Sequence, residues 1–205
     1  MSVSLYSNRS NLILGFHGTT KDRADNIFAG RSGFYASTND YDWLGNGMYF
    51  WENNLERAKQ WAADKARRKG DGIEPAVIGA VLDLGHCLDL TDSEYLEELA
   101  ESYKKFKHDM EEVGAVLPVN SSGGSPTDLL LRKLDCALIN YHRQLHKESG
   151  MGEYDSVRGV FWEGGDLYEG AGFKSKNHIQ IAVINPNCIK GFFRPRNINR
   201  DYNLI

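Results

Sequence analysis

The polar and apolar pattern of the chain changes period several times, and each change marks an element. Residues 12–16 (LILGF) form a compact apolar run ending in His17-Gly18-Thr19-Thr20, which predicts a buried strand feeding a loop. Thr20 or Asp22 is placed to cap a short helix over residues 21–28, broken by Gly30 and Gly33. Residues 34–37 (FYAS) give a weak strand. Residues 44–51 (LGNGMYFW) set two glycines ahead of an aromatic and apolar run, which predicts a short strand. Alternation sends Tyr49 and Trp51 to one face and Met48 and Phe50 to the other. One pair is expected to fill the core and the other to line a surface or cleft.

The period then becomes helical. Asn53 or Asn54 caps a helix to Lys69, with Leu55, Ala58, Trp61, Ala62 and Ala66 at helical spacing. Lys65, Arg67, Arg68 and Lys69 crowd its C-terminal end, where positive charge suits the helix dipole and could also touch phosphates. Residues 75–84 (PAVIGAVLDL) read as a central strand and residues 88–90 as extended. Asp92 or Ser93 caps a helix reaching Val113. Residues 121–126 (SSGGSP) are a low-complexity break, and residues 128–147 read as a further helix. Residues 156–162 are strand-like and residues 163–176 glycine-rich and looped. Residues 178–184 (HIQIAVI) alternate as a strand, and a last strand covers residues 189–193 before a tail with Arg194, Arg196 and Arg200. Strands at both ends with helices between them predict an α+β fold, in a single domain over residues 1–205.

Composition narrows the classes. At 205 residues, 41% hydrophobic and 25% charged, the chain resembles an ordinary globular domain. A net charge of −4 argues against a broadly basic nucleic-acid surface. Cys87, Cys136 and Cys188 lack disulfide or metal-ligand spacing, so reduced thiols and no metal are expected. Residues 1–11 show no secretion signal, and no run approaches the about 18 apolar residues of a membrane span. The expectation is a cytoplasmic protein with no membrane contact.

Three residues carry candidate chemistry: His17 at a strand end, Tyr49 on the glycine-preceded strand, and Gln180 on a late strand. Together with their flanks, His17-Gly18-Thr19, Gly45-Asn46-Gly47-Met48-Tyr49-Phe50, the helix with Ala58 and Trp61, and Gln180-Ile181-Ala182-Val183-Ile184-Asn185 resemble the core of the diphtheria-toxin-like ADP-ribosyltransferases, which include the poly(ADP-ribose) polymerases. The resemblance covers residues 12–66 and 155–193. It implies an ADP-ribosyltransferase fold: two small, mainly antiparallel sheets forming an NAD cleft, flanking helices, and a helical insertion at 91–150.

The resemblance also implies roles. His17 would bond ribose hydroxyls on the adenosine side, and Gly18 would offer its backbone N–H and C=O to the nicotinamide carboxamide, with Thr19 beside them. Tyr49 would stack on the nicotinamide ring. Trp61, one residue later than the family's usual spacing, is the candidate for its other face. Gln180 stands where the family has a glutamate. An amide can orient a hydroxyl but cannot supply negative charge or act as a base, so chain elongation is not expected. Glu163, Asp166 and Glu169 are carboxylates that could compensate. His178, on the same face as Gln180, is the candidate acceptor-facing residue. The function implied is mono-ADP-ribosylation of a macromolecular acceptor, protein or nucleic acid, by a bacterial-type toxin or effector, with an antitoxin or immunity protein as a further partner. NAD glycohydrolysis, a non-catalytic NAD- or ADP-ribose-binding module, and a partner-binding domain without ligand are the alternatives.

Overall fold

The computed structural model describes residues 12–125 and 128–197. The readings made on residues 1–11, Pro126 and Arg200 lie outside the described residues. Strand β1 (Ile13–Thr20) runs straight into helix α1 (Lys21–Phe28). Strand β2 (Met48–Glu52) leads to α2 (Leu55–Lys69), where the Asn54 side chain accepts the Arg57 N–H at 3.0 Å. That cap satisfies one of the amides a helix start leaves unpaired. Strands β3 (Pro75–Leu82) and β4 (Cys87–Asp89) follow, then α3 (Ser93–Glu112), capped by Asp92 on the Glu94 N–H at 3.0 Å. The remaining elements are β5 (Asn120–Ser121), β6 (Leu131–Arg132), α4 (Lys133–Glu148), β7 (Ser156–Phe161), β8 (His178–Val183), a short 3-10 turn (Pro186–Cys188) and β9 (Ile189–Phe193).

The class is mixed α+β. Seven strands join one sheet in the order β4-β7-β8-β2-β1-β3-β9, and β5 pairs with β6 in a separate two-stranded ribbon. All neighbours in the large sheet are antiparallel except β4 and β7. The expectation of two small sheets around a cleft is therefore corrected: β1 pairs with β2 as well as with β3 and joins the halves. The two seams differ. β1 and β3 pair along all of Ile13–Thr20, whereas β1 and β2 pair only at Gly15↔Glu52 and Phe16↔Trp51.

Each face of the sheet is covered. Met48, Phe50, Ala80, Leu82, Ile181 and Val183 pack on one side. Phe50 has no exposed surface, and burying such a side chain stabilises by about 1.5–3 kcal/mol. Leu44, Leu88, Ile139, Val157, Phe161 and Ala182 pack on the other, and Phe16, Trp51 and Ala58 meet under α2. Arg158 of β7 ties three parts of the sheet together. It bonds Glu52 of β2 at 2.6 and 3.0 Å, Asp89 of β4 at 3.1 and 3.2 Å, and the Thr91 hydroxyl at 2.9 Å. Among the described residues no helix is long and apolar enough to cross a membrane.

Candidate functional site

The site begins where the β1–β2 ladder stops. The Asn53 N–H reaches the Leu14 carbonyl at 2.8 Å and Phe16 pairs with Trp51, so the next hydrogen-bonded pair in an antiparallel ladder would be Gly18 with Tyr49. That pair is not formed. Instead His17 Nδ1 lies 2.8 Å from the Tyr49 carbonyl. A carbonyl only accepts, so Nδ1 carries the proton and Nε2 is left as an acceptor. The imidazole thus wedges the two strands apart. By the ladder's alternation, the Gly18 N–H and C=O face the opened seam.

His17 is held between Phe34 and Phe50, with ring centroids at 5.7 and 5.8 Å. Burial lowers its pKa to about 4; the Tyr49 carbonyl opposes this, and the charges of Lys65 and Arg23 add to it. The ring is therefore neutral at pH 7. Gly18 has a packing reason to be glycine: a Cβ there would lie 2.5 Å from the Ala58 carbonyl oxygen and 3.0 Å from Trp61 Cδ1. Its missing side chain lets α2 close on β1, so the space is taken by the helix rather than by a ligand. Thr19 is fully buried, and its hydroxyl has no partner among the described residues. It faces the interior, not a cleft.

Tyr49 is pinned at its hydroxyl, which accepts the Leu44 N–H at 2.8 Å and donates to the Gly45 carbonyl at 2.7 Å. Burial pushes the phenol pKa up. The ring is half-buried against the Leu44–Val157–Phe161 cluster. Met48 and Phe50 fill the core as expected, but Trp51, only 4% exposed, does too. Trp61 is 39% exposed, its ring 5.8 Å from Trp51, with the Arg68 guanidinium 4.9 Å above it. Tyr49 and Trp61 make no ring contact with each other among the described residues.

Gln180 sits beside Trp51 of β2 and Gly159 of β7, half-buried, its amide without a partner among the described residues. None of the three carboxylates is placed to act for it as a free base beside the seam. Glu163 accepts Arg57 Nη2 at 2.7 Å, with both side chains nearly buried, and Arg57 Nη1 also holds Gln60 at 2.8 Å. Asp166 is paired with Lys174, and Glu169 is on the exposed loop. His178, the candidate acceptor-facing residue, is buried, and its side chain faces no open surface. Its side chain has 0% exposure. It stacks on Phe161 and Trp43, its Nδ1 is 2.7 Å from the Lys176 carbonyl, and burial lowers its pKa.

Alternation places Tyr49, Trp51, His178 and Gln180 on one face of the sheet and His17 on the other. His17 reaches the Tyr49 strand through the backbone, not ring to ring. Two cavities lie along α4. One of about 240 Å³ is lined by Asn46, Arg143 and Tyr154 among others, and one of about 320 Å³ by Asn39, Asn46 and Cys136 among others. Neither is lined by His17, Gly18, Tyr49, Trp61 or Gln180.

The loop that holds the Tyr49 hydroxyl is itself held by residues that sequence reasoning did not single out. Asn140 Oδ1 accepts the Asn46 N–H at 3.0 Å, and Arg143 Nη1 donates to the Asn46 carbonyl at 3.0 Å. Gly45 adopts φ +73°, and a Cβ on it would lie 2.7 Å from Asn140 Oδ1. Trp43 Nε1 donates to the Leu130 carbonyl at 2.9 Å, and Arg132 lies 4.4 Å over the Trp43 ring. The segment from Leu130 to Arg143 therefore clamps the loop that holds the Tyr49 hydroxyl. No local signal marks such contacts, whose partners stand 87 to 97 residues apart.

Among the described residues no group of three or more His, Cys, Asp or Glu side chains converges as a metal site would need. The chain matches no protein-family profile, no curated protein and no solved structure.

Proposed function

We propose that the protein binds NAD at the opened β1–β2 seam and transfers single ADP-ribose units to a macromolecular acceptor. The observation that carries this reading is the arrested ladder. His17 Nδ1 donates to the Tyr49 carbonyl, and the Gly18 N–H and C=O, which alternation turns towards β2, have no ladder partner there. A donor and an acceptor one residue wide match a carboxamide, which offers one of each. The motif order stated for the ADP-ribosyltransferases supports the same reading, and so does the α+β architecture with Gln180 beside β2.

In this reading NAD enters after the 44–46 loop lifts from Tyr49, exposing the phenol ring to the nicotinamide. Nicotinamide leaves with the electrons of its bond to ribose. Gln180 orients a ribose hydroxyl while positive charge spreads over C1′ and the ring oxygen. The acceptor's nucleophile then bonds to C1′ and its proton passes to solvent. A specific observation favours a second reading: the Glu163 charge is committed to Arg57, so no carboxylate stands free beside Gln180. That favours an NAD- or ADP-ribose-binding module with slow or absent turnover.

Nicotinamide release from NAD, measured with and without cell extract, separates the readings. Release that requires extract supports transfer. Release without extract supports hydrolysis. Binding without release supports the module, and neither binding nor release rejects the NAD site.

A further inference from the structure

A cluster of cations beside the seam has no counter-charge. Trp61, Lys65, Arg68 and Lys69 fall at i, i+4, i+7 and i+8 on α2, so they form one stripe next to the Ala58 and Ala62 face that packs on β1. Arg23, in α1 directly after β1, adds a fourth cation from a second element. None of Arg23, Lys65, Arg68 and Lys69 has an ion pair among the described residues. Arg23 only reaches the Gly33 carbonyl and lies over Tyr35, and Arg68 lies over Trp61. Four nearby carboxylates are engaged elsewhere, Asp25 with Arg194, Asp64 with Arg67, Glu56 with Lys59 and Glu74 with Lys21, while Asp71, two residues past Lys69, makes no ion pair among the described residues. Asp22 acts on Lys21.

Lys65 is the costly member, being half-buried without a hydrogen bond. Its pKa is lowered first by burial and then by Lys69, Arg23 and Arg68, with no carboxylate offsetting them. The charges of Lys65 and Arg23 also act on the His17 imidazole. Lys65, half-buried and with Arg23, Arg68 and Lys69 acting on it, is the charge that an incoming anion would relieve.

We infer that Arg23, Lys65, Arg68 and Lys69 form a phosphate-binding subsite for a ligand carrying more phosphate charge than NAD, such as a dinucleotide bearing an added phosphate monoester. A dinucleotide's pyrophosphate linkage has two diester charges, half of what the cluster can pair. A monoester adds nearly two more and accepts charge-assisted bonds from lysine and arginine. The dinucleotide part of this inference rests on the NAD reading above, while the phosphate part does not.

The test uses thermal unfolding and calorimetry at constant ionic strength, with inorganic pyrophosphate, NAD and NADP as probes, on wild type, Lys65→Met and Arg23→Gln. Without anion, Lys65→Met should raise Tm by about 2 °C, because a repelled half-buried charge is replaced by an apolar chain. Pyrophosphate should raise the wild-type Tm and lose that effect in both variants. NADP should bind wild type about tenfold more tightly than NAD, and the advantage should collapse in the variants. A pyrophosphate effect that is absent, or equal in all three proteins, overturns the subsite. So do equal, finite affinities for the two dinucleotides. Cluster-dependent pyrophosphate binding with no dinucleotide binding keeps the subsite and rejects the NAD reading.

Discussion

Protonating His17 requires charging a ring packed between Phe34 and Phe50 while its Nδ1 proton is held by the Tyr49 carbonyl. Its folded pKa of about 4 lies below the unfolded value of 6.5, so the unfolded chain binds the proton more readily between them. Stability should be full above pH 6.5 and fall as pH drops towards 4, then level off. His142 and His178 are lowered by burial as well and add to the same acid limb. His17→Gln should therefore flatten part of that limb, read as urea midpoints across the window. Gly18→Ala should cost about 1–3 kcal/mol, because the new methyl meets the Ala58 carbonyl oxygen, a backbone atom that cannot swing aside. Equilibrium denaturation checks this. Gln180→Glu should keep or raise nicotinamide release if the amide only orients a hydroxyl. Loss of release would contradict that role. At this scale the residues that differ from local background were legible: an imidazole and a glycine after an apolar run, and a tyrosine after two glycines, although β1 continues through His17 and Gly18 to Thr20 and does not end at Phe16. Their orientation was less so. The placement of Tyr49 and Gln180 on one face follows from strand alternation, but the burial of Trp51 and His178 depends on what other elements lay over them.

Among the elements, the capped helices were readable because their signals are local. Asn54 and Asp92 are the caps of α2 and α3 as the pattern predicts. Asn54→Ala should cost about 1 kcal/mol of stability, measured by denaturation. The failures have nonlocal causes. A helix was expected from residue 128, but α4 starts at Lys133, where Arg132 gives no side-chain cap. The residues before it serve distant partners instead. Leu130 offers its carbonyl to Trp43, and Asp128 accepts the Gly164 N–H at 3.1 Å. Residues 34–37 form no strand beyond the isolated bridge Ser37↔Gly47, and Phe34 packs its ring on His17, Phe50 and Phe192. The clamp from Leu130 to Arg143 is the element-scale device that holds the loop on the Tyr49 hydroxyl. Asn140→Ala removes the acceptor of the Asn46 N–H, so hydrogen exchange at Asn46 should accelerate by about tenfold, the equivalent of one modest hydrogen bond. Unchanged exchange would mean that the loop is held by other contacts.

For the whole molecule, the order β4-β7-β8-β2-β1-β3-β9 sets β2 between the first strand and the late strand β8 in the middle of one sheet, with β4 and β9 at its edges. Mixed α+β class was legible from strands at both ends and helices between. One sheet rather than two was not, since joining them depends on two residue pairs at the β1–β2 seam. The same seam carries the functional reading: a strand pair stopped short by an imidazole, beside a glycine whose backbone has no ladder partner there. Arg158 spans the sheet and should be indispensable to it. Arg158→Met would take the guanidinium from Glu52 and Asp89 and cost about 3–5 kcal/mol, with Asp89 keeping its Thr91 hydrogen bonds. The most direct check of the central claim is calorimetric titration of NAD into wild type and His17→Ala, each shown to be folded at the working temperature. The account predicts saturable binding to wild type, weakened at least about tenfold once the wedge is removed. Equal affinity in the two proteins, or no heat with wild type at millimolar NAD, would contradict it.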